Sequence, residues 1–172
     1  MAFKTASLAL DGTALRFVAR VGSGHMLVLD DAIGDTGPRP AELIPVALAG
    51  CTAMDVVSIL RKKRQEVTRY EVRAEGIQAD DHPNEFTRID VLHVIDGPAV
   101  DVEAVRRAIE LSATKYCSVG ATLASGITEI RHASLVRDEV GGEQAAEVIV
   151  LGPGADAAAT GEGVPATTSP PG

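Results

Sequence analysis

Tryptophan is absent from this chain, and only three phenylalanines and two tyrosines occur in its 172 residues. Any core must be built from Val, Leu, Ile and Ala, and the scarcity of rings argues against a base-stacking surface for single-stranded nucleic acid. Cysteine is nearly as rare: Cys51 and Cys117 stand 66 positions apart. His25, His82, His93 and His132 are dispersed, with no CxxC or HxxxH spacing, so no zinc site is expected. Basic residues vanish from the C-terminal end, where residues 138–172 hold six acids and no Lys or Arg. They account for most of the net charge of −8, and the rest of the chain is nearly balanced, 18 acidic against 16 basic. Neither DNA nor an anionic membrane is therefore a predicted partner. No basic segment followed by an apolar one opens the chain, which reads as cytoplasmic. In that reducing setting two cysteines are expected as thiols.

What is present is 45% apolar content, enough for one folded domain. Three alternating segments, "ASLAL", "ALRFVARV" and "HMLVLD", are separated by "DGT" and "GSG" and predict three antiparallel strands. After the loop "DDAIGDTGPRP" a helix is predicted from Pro40 to about Val67, its apolar first half buried and its "RKKRQE" end solvated. "LIPVALAGCTAMDVVSIL" has the length of a short membrane span, but Pro45, Gly50, Thr52, Asp55 and Ser58 interrupt it, which favours a core helix. "TRYEVRAEGIQA" and "TRIDVLHVID" predict further strands. Asp101 is placed to cap a helix with Val102, Val105, Ile109 and Ser112 on one face, and a short helix follows Cys117. "ITEIRHASLV" closes the body as a strand. Residues 1–137 thus form the domain, and 138–172 an extension in which "EQAAEVIVL" is open to strand or helix. The Gly/Ala/Pro/Thr-rich end of that extension is expected to be flexible.

"GSGH" lacks the lysine and the spacing of a phosphate loop and reads as a hairpin turn. "RKKR" reads as a solvated helix end that complements the helix dipole. Cys51, in an apolar helix, has the setting of an inert core residue. Cys117 follows a break between helices, where free amides at a helix start favour a thiolate.

Three stretches change the weight given to these cysteines. "RPAELIPVALAGCTAMDVVSILRKKRQ", "HPNEFTRIDVLHVI" and "AVRRAIELSATKYCSVGATL" resemble the cysteine-bearing helices and intervening strands of the OsmC/Ohr family, in particular its YhfA-like branch. The resemblance spans roughly residues 15–135. It implies an α+β, OsmC-like fold with antiparallel sheets packed on two central helices. It also implies an intertwined homodimer with sites between subunits.

The activity it implies is reduction of organic hydroperoxides, with Cys51 peroxidatic and Cys117 resolving. A dithiol reductant, lipoyl-type or a small thiol, would restore the pair, with no metal or organic cofactor. Leu43, Val46, Leu48 and Met54 would give the site an apolar wall. The chain departs from the family pattern at three points. Ala41 stands where Ohr-type members carry the glutamate that orients an arginine, the nearest acid being Glu42. The loop "VGSGHML" holds no arginine, which leaves Arg20, Arg39 or His25 as substitutes, and Ser118 replaces a common proline. The competing function is a noncatalytic protein that binds a small hydrophobic ligand in the same pocket. A cysteine hydrolase is the weakest reading, since no histidine is nominated as base.

Overall fold

The computed structural model describes residues 3–153 and residue 155. They fall into two compact units divided between Val46 and Ala47. In the first, strands β1 (Ala6–Leu10), β2 (Phe17–Val21) and β3 (Met26–Leu29) form an antiparallel sheet in sequence order, as the alternating segments predict. The "GSG" turn places Gly24 at φ 87°, a conformation that only glycine adopts without strain. Beyond β3 the chain folds around Asp30, whose carboxylate accepts from the Asp31 and Thr36 amides and from the Thr36 hydroxyl at 2.5 Å. That bond and those amides hold its pKa below the usual carboxylate value.

Pro40–Glu42 form a 3-10 turn that leads into α1 (Leu43–Lys62). The predicted extension of this helix to Val67 fails. Arg64 adopts φ 56°, and the amides of Arg64 and Gln65 turn back to the carbonyls of Arg61 and Leu60. This is a left-handed C-terminal cap with arginine in the place usually held by glycine. The expected burial of the apolar first half also fails. Only Leu48, Thr52, Val56 and Leu60, one stripe at four-residue spacing, are fully covered. Val46 and Met54 remain 63% and 74% exposed. The helix is apolar on more sides than one chain covers, and by length and composition alone it could cross a membrane.

In the second unit, β4 (Arg69–Gln78), β5 (Phe86–Asp96), β6 (Glu129–Arg137) and β7 (Glu143–Leu151) form a sheet in that order. The β5–β6 pair is parallel, so this sheet is mixed and not purely antiparallel. The stretch left open between strand and helix is β7. Helix α2 (Val102–Leu111) starts at the predicted cap, with the Asp101 carboxylate accepting from the Glu103 amide at 2.9 Å. Its Val105, Ala108 and Ile109 meet Val56 and Leu60 of α1 and Ile95 and Val136 of the sheet in the main core cluster. The 152–172 stretch expected to be flexible lies, except for residues 152, 153 and 155, outside the described residues.

Tyr70, His93 and His132 cross the sheet as a buried polar line. The Tyr70 hydroxyl lies 2.7 Å from His93 Nδ1, and His93 Nε2 lies 3.2 Å from His132 Nδ1. Burial raises the tyrosine pKa, so the phenol keeps its proton in its hydrogen bond with His93 Nδ1. Burial lowers His93 to about 3, helped by His132, and lowers His132 to about 4, so both rings are neutral at pH 7.

Candidate functional site

Cys51 lies in the middle of α1, half-buried, next to the covered stripe. Helix α2 does not pass directly into the next helix. Ser112–Tyr116 form a π-helical turn, and Cys117 follows in extended conformation at φ −72° and ψ 99° as the N-cap of α3 (Ser118–Ala124). Its amide donates to the Ser112 carbonyl at 2.8 Å, and its Sγ accepts from the Gly120 amide at 3.2 Å. A Cβ on Gly120 would stand at ordinary contact distance, 3.4 Å from that sulfur and 3.6 Å from Leu48 Cδ1, so the start of α3 packs against Leu48 of α1.

Cys117 is 4% exposed, and its pKa is pushed up to about 12, first by burial and then by the nearby Cys51 side chain. The Gly120 amide opposes this, while the Asp55 carboxylate adds to it. The thiolate expected at Cys117 from a helix start therefore does not form at neutral pH. One amide of a seven-residue helix is outweighed by desolvation. Cys117 keeps its proton, and Cys51 is the more accessible sulfur.

Sequence reasoning passed over three neighbours. Ser112 Oγ lies 2.9 Å from Asp55 Oδ2 and 3.2 Å from Thr52 Oγ1, and both Ser112 and Thr52 are fully buried. The available signal was a carboxylate in an otherwise apolar helix, one turn beyond a cysteine. Such a group needs a partner when it is covered.

The other predicted site residues lie in the first unit. Glu42 and Arg39 come together: the Glu42 carboxylate accepts from the Arg39 amide at 2.8 Å and faces its guanidinium at 3.8 Å, while Arg39 also pairs with Asp35 at 3.0 Å. Ala41 is exposed beside them. Arg20 and His25 belong to the β2–β3 hairpin, where Arg20 reaches the Gly24 carbonyl at 3.5 Å and Met26 Sδ at 3.3 Å. His25 Nδ1 lies 3.2 Å from Ser23 Oγ. Among the described residues no cluster of three or more His, Cys, Asp or Glu could hold a metal ion.

A three-stranded sheet, a mixed four-stranded sheet and a long apolar helix that carries one of two free cysteines define a two-thiol α+β protein. The chain belongs to the OsmC-like protein family, whose model matches residues 33–131. It is similar to Protein YhfA of Escherichia coli strain K12, 40% identical over 113 residues, which are 66% of this chain and 84% of that protein. Among solved structures it is similar to a hypothetical protein from Aquifex aeolicus VF5, at a TM-score of 0.72 and 29% identity, covering 81% of this chain and 99% of the other. An organic hydroperoxide resistance protein from Elizabethkingia anophelis shares the fold at a TM-score of 0.54 and 15% identity, covering 81% and 98%.

Proposed function

We propose that this protein is a thiol-dependent peroxidase that reduces organic hydroperoxides in the cytoplasm through Cys51 and Cys117. The observation that carries the reading is a half-buried Cys51 near enough to a buried Cys117 to help hold that thiol protonated. In the first step the Cys51 sulfur, as thiolate, attacks the distal peroxide oxygen. The O–O bond breaks, the alcohol leaves with a proton, and Cys51 becomes a sulfenic acid. In the second step Cys117 attacks that sulfur. The S–O bond breaks, water leaves, and a Cys51–Cys117 disulfide remains. A dithiol, lipoyl-type or small, then supplies the two electrons and two protons that restore both thiols.

The exposed apolar side chains on α1, Val46 and Met54, suit an alkyl hydroperoxide better than a fully hydrated one. A second copy of the chain covering that helix fits the same surface and completes the site as a homodimer. The noncatalytic alternative is favoured by the Arg39 guanidinium being engaged with Asp35 and Glu42. Mixing the reduced protein with tert-butyl hydroperoxide and following thiol loss and disulfide mass separates the two. If Cys51 stays reduced over minutes, the ligand-binding reading stands and the peroxidase is lost.

A further inference from the structure

Bond formation between two cysteines tolerates little error. The Cβ atoms must come within roughly 3.5–4.5 Å with the sulfurs close to perpendicular. Cys51 is carried by α1, and Cys117 by an extended residue between a π turn and a short helix. Something must hold these segments in register.

Ser112 is the residue that grips both. Its carbonyl takes the Cys117 amide across the π turn at 2.8 Å. Its hydroxyl reaches α1 at Asp55 Oδ2, 2.9 Å away, and at Thr52 Oγ1, 3.2 Å away. A serine carries one hydroxyl proton, and the carboxylate is the stronger acceptor, so that proton goes to Asp55 while the Thr52 hydroxyl donates to Ser112 Oγ. Thr52 and Asp55 stand one and four positions beyond Cys51, so the anchor lies within one turn of the nucleophile. Single-turn π segments inside helical runs are rare and concentrate at functional sites. Here the turn ends on the cysteine.

We propose that Ser112, held by the Asp55 carboxylate, is the positioning residue that sets Cys117 against Cys51 for disulfide formation. The proposal rests on the reading of Cys51 and Cys117 as a redox pair, and it assigns the two neighbours to the second step, Cys51–SOH + Cys117–SH → Cys51–S–S–Cys117 + H2O. Neither touches the reacting oxygen. They act by keeping the thiol where the S–O bond can be displaced, an effect of orientation that is lost steeply with sub-ångström drift. Asp55 has a second consequence: its charge faces Cys117, so removing it eases ionisation of that thiol.

The test uses the full-length chain and two oxidants. Disulfide formation is timed with diamide, which needs no peroxide and is itself reduced to the hydrazine. It is timed again with tert-butyl hydroperoxide, with sulfenic acid trapped by dimedone to isolate the first step. Ser112→Ala and Asp55→Ala are expected to slow diamide-driven closure by about tenfold, and to slow resolution relative to Cys51 oxidation by a similar factor. Asp55→Asn keeps an oxygen for Ser112 and is expected to recover most of the rate lost in Asp55→Ala. In a Cys51→Ser background, Asp55→Asn should also move the pH profile of Cys117 alkylation downward. Closure in Ser112→Ala and Asp55→Ala at the rate of the unmodified protein, with peroxide still consumed, overturns the positioning role and leaves the peroxidase intact. An unmodified protein inert to peroxide, with diamide closure slow in both alanine variants and recovered in Asp55→Asn, keeps the positioning role and removes the peroxidase. Equal loss in Asp55→Ala and Asp55→Asn also overturns the proposal, because a bond that the amide preserves would then not matter.

Discussion

Cys51→Ser and Cys117→Ser take away different parts of the same chemistry. Without Cys51 no peroxide should be consumed. Without Cys117 one equivalent of organic hydroperoxide should still be reduced, leaving sulfenic acid on Cys51 that dimedone labels and mass spectrometry reads. Equal loss of the first turnover in both variants would contradict the assigned roles. Burial, the nearby Cys51 side chain and the Asp55 charge keep Cys117 protonated up to about pH 12. At this scale the sequence was informative in part. "AGCTAMD" and "KYCSV" marked both sulfurs through family resemblance, whereas Ser112 was legible only as one apolar-face position of a helix. Its partners, Asp55 and Thr52, lie nearly sixty residues away along the chain, and no local pattern joins them.

At the scale of elements, strands and caps were read well because their signals are local. The period of two in "ASLAL" and "TRIDVLHVID" and the cap at Asp101 each depend on a few adjacent residues. The end of α1 was misplaced because the helix stops at a left-handed arginine, where sequence offers no glycine to announce it. That geometry yields a test. Arg64→Gly removes the steric cost of φ 56° and should stabilise the protein by about 0.5–1 kcal/mol, less the added freedom of the unfolded chain. A rise of a few degrees in melting temperature is the expected reading, and a fall would show that the arginine side chain makes contacts that outweigh the strain. The parallel pairing of β5 with β6 was hidden for a related reason: strand direction is decided by the α2–α3 crossover, not by the strands' own residues.

For the whole molecule, the buried imidazoles make stability depend on pH. Both His93 and His132 have folded pKa values depressed to about 3 and about 4, below the ordinary 6.5. Between those limits the unfolded chain binds more protons, so stability is full above about pH 6.5 and falls as the solution is acidified. From pH 6.5 to pH 5 each ring contributes a loss of about 2 kcal/mol, to order of magnitude. Urea midpoints measured at the two pH values should show that drop, and His132→Gln should remove about half the slope. An unchanged slope would locate the acid sensitivity elsewhere.

Assembly is the other whole-molecule question. Within one chain α1 leaves Val46 and Met54 63% and 74% exposed. Sedimentation equilibrium is expected to give twice 17.8 kDa. Met54→Glu, which places a charge on a side chain 74% exposed in the single chain, should shift the protein toward monomer and lower its melting temperature. A monomeric mass for the unmodified protein would sink the homodimer.

By itself the sequence determined the class of fold, the order of its elements up to β6 and the family, because each is written in residues close together along the chain. Only the tertiary structure decided that Cys117 keeps its proton, that the "LIPVALAGCTAMDVVSIL" helix leaves Val46 and Met54 exposed within one chain, and that Asp55 is answered by Ser112. Those outcomes depend on desolvation and on contacts between residues far apart in sequence, and folding is what creates both.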